Sequence, residues 1–128
     1  MARGILPSEH QSQSAVIAWW QLACHGYGLP PFALYAVPNA ARRSFALAAR
    51  MKAEGMRAGI PDLCLARPRY KGNAMRYAGL YVEMKRKGTG TVSDAQGAVL
   101  DYLRTSGYAA MVCYSADEAI EVIKEYLK

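Results

Sequence analysis

Three charged residues interrupt apolar runs in this chain. Asp62 lies in Gly59-Ile60-Pro61-Asp62-Leu63, and Glu83 and Lys85 lie two apart in Tyr81-Val82-Glu83-Met84-Lys85. Side chains two apart on a strand share a face. Glu83 and Lys85 therefore project together, and beside Asp62 if the two strands pair. Two carboxylates and an ammonium on one patch can hold a hard divalent cation and activate water next to a phosphate. In that arrangement Asp62 and Glu83 supply oxygen ligands and the backbone carbonyl of Met84 offers a third. Lys85 orients the attacking water or helps it lose a proton, and neutralises a nonbridging oxygen. The rival arrangement is a cross-strand salt bridge, with Glu83 and Lys85 in solvent and Leu80, Val82 and Met84 facing the core. Periodicity alone weighs the two evenly; Pro61-Asp62 at the start of the preceding strand tips the balance towards a site.

These residues need elements to hold them. Ser8 as N-cap with Gln11 three residues on forms a capping box, opening a helix to about Cys24 with Val16, Ile17, Trp20 and Cys24 on its apolar stripe and Gly26 as its stop. Trp19 and Trp20 cannot both face the core, and partial burial of both is the default. Pro30-Pro31 opens an extended run, Phe32 to Val37, closed by Pro38-Asn39. Ala40 to Glu54 is rich in helix formers and ends at Gly55. Ile60 to Ala66 and Gly79 to Lys85 are the strands of the motif, joined by a polar, basic loop from Arg67 to Tyr77 whose length permits a hairpin. Ser93 and Gln96 form a second capping box before a helix from Asp94 to about Arg104, with Ala95, Val99 and Tyr102 to Leu103 at helical spacing. Tyr108 to Tyr114 is a further strand, and Ser115 caps a last helix bearing Ile120, Ile123 and Leu127. The order α, β, α, β, β, α, β, α predicts an α/β sandwich with a mixed sheet. The helix within the Lys85 to Tyr108 crossover makes the strands it joins parallel.

The 128 residues fit one domain, 1–128, with 52% hydrophobic and 20% charged residues and no repeat. The apolar neighbourhood from Val16 to Val37 is broken by Gln21, His25, Gly26, Gly28 and Pro30-Pro31, and Met1 to His10 lacks the apolar core of a signal peptide. No membrane span and a cytoplasmic location are expected. Cys24, Cys64 and Cys113 have no zinc or redox spacing and read as small buried hydrophobes. His10 and His25 likewise lack partners at metal-ligand spacing. The net charge of +6 favours an anionic partner. Its clusters, Arg42-Arg43, Arg50 to Arg57, Arg67 to Arg76 and Lys85 to Lys87, are expected to bracket the acidic site.

The paired motifs resemble the PD-(D/E)XK nuclease pattern, and the ordered series resembles the VRR-NUC family, the virus-type replication and repair nucleases. The series is Ser8-Glu9-His10-Gln11-Ser12-Gln13, Tyr35-Ala36-Val37-Pro38-Asn39 followed by basic residues, and Gly55-Met56-Arg57-Ala58-Gly59-Ile60-Pro61-Asp62-Leu63. Gly79-Leu80-Tyr81-Val82-Glu83-Met84-Lys85 follows, then Val92-Ser93-Asp94-Ala95-Gln96 and Gly107-Tyr108. The resemblance spans nearly the whole chain and implies a restriction-endonuclease-like α/β/α sandwich. It also implies a Mg2+- or Mn2+-dependent endonuclease in which Asp62, Glu83 and Lys85 take the roles above, leaving a 5'-phosphate.

By the same resemblance Glu9 is an additional acid that aids metal or water positioning, and Gln96 touches the metal's water shell or the scissile phosphate. Both residues also have local explanations: Glu9 as a first-turn acid favoured by the helix dipole, Gln96 as the capping partner of Ser93. Gln13, one turn after Glu9, could assist or replace it. Asn39, Arg42, Arg43 and Lys87 are candidate phosphate contacts, a solvated helix start being the equal alternative for the first three. Small stand-alone members are typically phage proteins similar to homodimeric Holliday junction resolvases, so a bare nuclease domain, branched DNA and a homodimer are expected. The competing expectations are a noncatalytic nucleic-acid-binding module and a basic interaction protein of a phage replication or packaging complex, marked by an exposed aromatic patch.

Overall fold

The computed structural model describes residues 5–38 and 44–128. The expected contacts of Asn39, Arg42 and Arg43 lie outside the described residues. Helix α1 spans Glu9–Ala23, and its capping box is formed: Ser8 Oγ accepts from Gln11 N–H while the Gln11 side chain accepts from Ser8 N–H. Val16, Trp20 and Cys24 are fully buried on its stripe, and Trp19 packs half-buried against the same core. The helix does not stop at Gly26. A 3-10 turn carries the chain from Cys24 to Tyr27, and Gly28, at φ 68, is the left-handed cap. Trp20 Nε1 then donates to Pro31 O at 2.8 Å, tying the next turn to the helix.

Strand β1 is shorter than expected, Leu34–Ala36, because Pro31–Ala33 forms a 3-10 turn first. Helix α2 spans Phe45–Ala53, with Ser44 extended and capping Leu47 N–H, and the expected start at Ala40 lies outside the described residues. Strand β2 covers Leu63–Leu65 and β5 covers Leu80–Met84. Between them the expected loop is a small antiparallel hairpin, β3 Arg69–Lys71 and β4 Ala74–Tyr77, turning at Gly72 with φ 61. Helix α3, Asp94–Thr105, strand β6, Ala109–Cys113, and helix α4, Ala116–Tyr126, complete the order.

The main sheet runs β1-β2-β5-β6. β1 and β5 flank β2 antiparallel, and β6 is parallel to β5, as a helical crossover requires. Helices α1 and α4 cover one face, where Leu63, Leu65, Leu80, Val82, Met84, Val16, Trp20 and Ile123 form the main core. Each fully buried side chain of this kind contributes about 1.5–3 kcal/mol. Helix α3 covers the other face over β6. There Leu100 and Leu103 meet Ala110, Tyr81, Val99, Tyr108 and Val112, while Tyr102, expected to face inward, is 68% exposed. The chain is thus an α/β/α sandwich with a mixed sheet. Cys24, Cys64 and Cys113 are free and buried. Among the described residues no helix is long and apolar enough to cross a membrane.

Candidate active site

Strand alternation puts Leu80, Val82 and Met84 of β5 into the α1/α4 core, so Tyr81, Glu83 and Lys85 face the α3 side. That side is also closed. Glu83 is 3% exposed and Lys85 8%, which removes the solvent-facing salt bridge as a description of the pair. β5 is a strand buried on both faces, and its two charges need partners.

Asp62 stands just before β2, where the ladder stops. Pro61 is buried and fixes the entry into the strand, and Asp62 O accepts from Val37 N–H at 2.8 Å beyond the end of β1. In place of a ladder bond, Asp62 Oδ2 accepts from Met84 N–H at 2.7 Å. Within a strand, a residue's own N–H and C=O point the same way. The Met84 carbonyl therefore points to the same edge as the Asp62 carboxylate, while the next residue, Lys85, donates its N–H to Cys113 O on β6 at 2.8 Å.

Glu83 Oε1 has two neighbours, Gln96 Nε2 at 2.9 Å and Lys85 Nζ at 3.6 Å. Lys85 Nζ is also 3.9 Å from Glu9 Oε1, so the first turn of α1 meets the end of β5. Gln96 is the capping partner of Ser93 and reaches Glu83 as well. Its Oε1 accepts from Ser93 N–H at 3.0 Å and its backbone N–H reaches Ser93 Oγ at 3.1 Å, completing the capping box, while its amide N–H reaches Glu83. Gln13 is half-buried one turn along α1, and His10 and His25 are exposed. Lys87 is exposed two residues beyond Lys85.

Glu83 Oε2 is buried with no hydrogen-bond partner among the described residues. Burial first, and then the Asp62 carboxylate beside it, push the Glu83 carboxyl up to about 8 against the opposing pull of the Lys85 ammonium. A buried carboxyl oxygen without a donor is satisfied by a proton or by a cation. Among the described residues no three His, Cys, Asp or Glu side chains converge as a ready-made cage. The donor set is two carboxylates and a carbonyl, which fits Mg2+ or Mn2+ because Mg2+ keeps several waters and takes few protein ligands.

Gly59 is a positioning residue that motif reading alone passed over. It has φ 86, and a Cβ there would stand 2.6 Å from Ala95 O and 2.7 Å from Ala95 C. The loop carrying Asp62 thus lies directly on the first turn of α3 that carries Gln96. A glycine three residues before the Asp was the available signal.

The basic clusters are not where charge alone put them. Arg57 precedes Asp62, and Arg86 and Lys87 follow Lys85, but Arg67 to Arg76 belongs to the β3–β4 hairpin, which joins the far ends of β2 and β5. It does not bracket the carboxylates.

The VRR-NUC domain model matches residues 7–117. A solved structure titled "VRR_NUC domain protein" superposes with a TM-score of 0.78 at 28% identity, covering 96% of this chain and 90% of that one. No curated protein matches. The shared architecture is the restriction-endonuclease-like sandwich, and the match covers most of the residues. The chain belongs to the VRR-NUC family of nuclease domains.

Proposed function

We propose that residues 1–128 form one metal-dependent DNA endonuclease domain that hydrolyses phosphodiester bonds in branched DNA such as four-way junctions. The observation that carries this reading is Glu83: a buried carboxyl with an orphaned Oε2, Asp62 beside it and Lys85 Nζ 3.6 Å from its other oxygen. Asp62, Glu83 and the Met84 carbonyl would hold Mg2+ or Mn2+, which would offset charge on the phosphate and lower the pKa of a bound water. The chain's own groups supply the rest. Lys85 orients the attacking water and faces a nonbridging oxygen, and Glu9 holds the ammonium from the α1 side. Gln96 fixes Glu83 and sits at the edge of the scissile phosphate. Lys87 supplies a phosphate contact from solvent.

A homodimer suits a four-way junction, because symmetric cutting requires two sites related by a two-fold axis. Helix α2 supports a second copy as neighbour: none of its residues is buried, and Phe45 and Leu47 are 92% and 40% exposed.

The test is cleavage of supercoiled, linear, single-stranded, flap and four-way junction DNA with Mg2+, Mn2+ or EDTA. Wild type should cut at least one substrate with metal and none in EDTA. Asp62→Ala and Lys85→Ala should each lose about a hundred- to a thousandfold or more in rate while still binding DNA. Binding without cleavage under every metal condition would instead establish the noncatalytic binding module.

A further inference from the structure

The misplaced basic cluster has its own architecture. From Ala66 to Ala78 the chain carries Arg67, Arg69, Lys71 and Arg76 and no acid. The fold brings this segment against the ends of α1 and α4, forming a cleft of about 210 Å³ lined by Tyr27, Arg67, Arg69, Tyr70, Tyr126 and Lys128 among others. The cleft is built rather than frayed. Tyr126 Oη donates to Arg67 O at 2.6 Å, an Arg69 guanidinium N–H donates to Glu125 O, and Tyr77 packs on Tyr126 with ring centroids 6.2 Å apart. Glu125 is the acid at its rim, and it is paired with Lys128 at 2.8 Å. Arg67 and Lys71 are left exposed, and Tyr70 is 55% exposed beside them.

Its position relative to the carboxylates follows from two rulers. Helix α1 runs from Glu9 at the active site towards Tyr27 at the cleft, and its 15 residues span about 22 Å. From Glu83 back to Tyr77 the chain covers at most about 20 Å. The separation corresponds to about six base pairs of duplex. The cleft opens on the α1/α4 layer, whereas Glu83 and Lys85 face α3.

We propose that this cleft is a second nucleic-acid site, which grips the phosphate backbone of a segment of the same DNA some six base pairs or one branch away from the bond being cut. The proposal rests on the nuclease reading for its choice of ligand. Four cations with no acid in one segment match a polyanion, and the cleft sets Arg67, Arg69 and Lys128 beside the flat faces of Tyr27, Tyr70 and Tyr126, with Leu29, Pro68 and Leu127 between them. Contacts of this kind position a backbone without reading its sequence. A bent or branched substrate could reach both the cleft and the carboxylates at opposite ends of strands β2 and β5.

The experiment is equilibrium binding of a four-way junction in EDTA across a salt series, comparing wild type with Arg67→Glu/Lys71→Glu and with Lys124→Glu, a charge reversal on α4 outside the cleft. The double variant should bind about tenfold or more weakly, with a log–log salt slope shallower by about two, while Lys124→Glu stays near wild type. Arg67→Gln/Lys71→Gln should show the smaller loss in the same direction, and circular dichroism confirms that each variant is folded. Unchanged affinity and slope in the folded double variant would overturn the proposal, as would a loss equalled by Lys124→Glu. The binding arm contains no metal, so it decides the cleft even if the protein cuts nothing, an outcome that would sink the nuclease reading alone.

Discussion

Strands β2 and β5 have two ends, and the molecule treats them differently. At one end the ladder is replaced by a side chain, Asp62 Oδ2 on Met84 N–H, and two charged residues are buried next to it. At the other end the strands run into a hairpin segment whose cations, Arg69 apart, stand in water. Charges that do chemistry gain from desolvation, because electrostatic interactions strengthen where water is excluded. Charges that only hold a polyanion keep their hydration until it arrives, and contribute through counterion release. The first end is therefore over-determined and the second tolerant.

Gly59→Ala tests the tight end most severely. The substitution combines a left-handed φ of 86 with a Cβ 2.6 Å from the Ala95 carbonyl, and backbone cannot swing aside as a side chain can. A loss of about 2–4 kcal/mol is expected, read by chemical denaturation. Cleavage should fall further than the unfolded fraction explains, since Asp62 and Gln96 are pushed apart. A near-wild-type midpoint would show that the α3 contact is not what holds the site.

Gln96→Ala separates the residue's two duties. Ser93 Oγ still reaches the backbone N–H at position 96, so the cap is only half lost and stability should drop by about 1 kcal/mol. The Glu83 bond is lost entirely. A rate loss of about ten- to a hundredfold with so small a stability change would mark Gln96 as a residue of the site; equal losses would make it a cap only.

Part of this was legible beforehand, and the physics explains which part. Capping boxes are local, so Ser8-Gln11 and Ser93-Gln96 were readable from spacing, as was the parallel β5–β6 pair from the helix in the crossover that joins them. Burial of Glu83 and Lys85 was not, because alternation says which residues share a face and not whether a helix covers it. The Gln96–Glu83 bond spans a crossover, beyond any local pattern. The β3–β4 hairpin escaped because its strands are short, polar and irregular between Arg69 and Tyr70, although Gly72-Asn73 is a recognised hairpin turn signal. Net charge misled for a simple reason: nearness in sequence to Asp62 and Glu83 put Arg67 to Arg76 between the carboxylates, while the fold sends it to the far end.

The buried carboxyl gives the comparison a pH signature. Glu83 is raised from 4.5 to about 8, so between those values the folded protein binds a proton that the unfolded chain releases. Stability from this group is fully present below about 4.5 and is lost as pH rises through about 8. The melting temperature of metal-free protein should accordingly fall across that window, and the fall should be shallower in Glu83→Gln. Added Mg2+ should raise the melting temperature more at the alkaline end, because the ligand must be deprotonated to bind. Parallel profiles for wild type and Glu83→Gln would place the pH dependence elsewhere.

Gly72→Ala is the counterpart of Gly59→Ala and should have the smallest effect. Its φ of 61 is also left-handed, but a Cβ there meets nothing within 4 Å. Alanine then bears the conformational strain without a clash, and about 1 kcal/mol is expected by chemical denaturation. Cleavage at saturating DNA should not change, since the hairpin touches neither Asp62 nor Glu83. The two glycines differ by only 25° in φ, so the gap between their stability losses measures the contact with α3 rather than backbone strain. If both cost the same, strain alone accounts for Gly59, and the tight end of the sheet is no more constrained than the loose one.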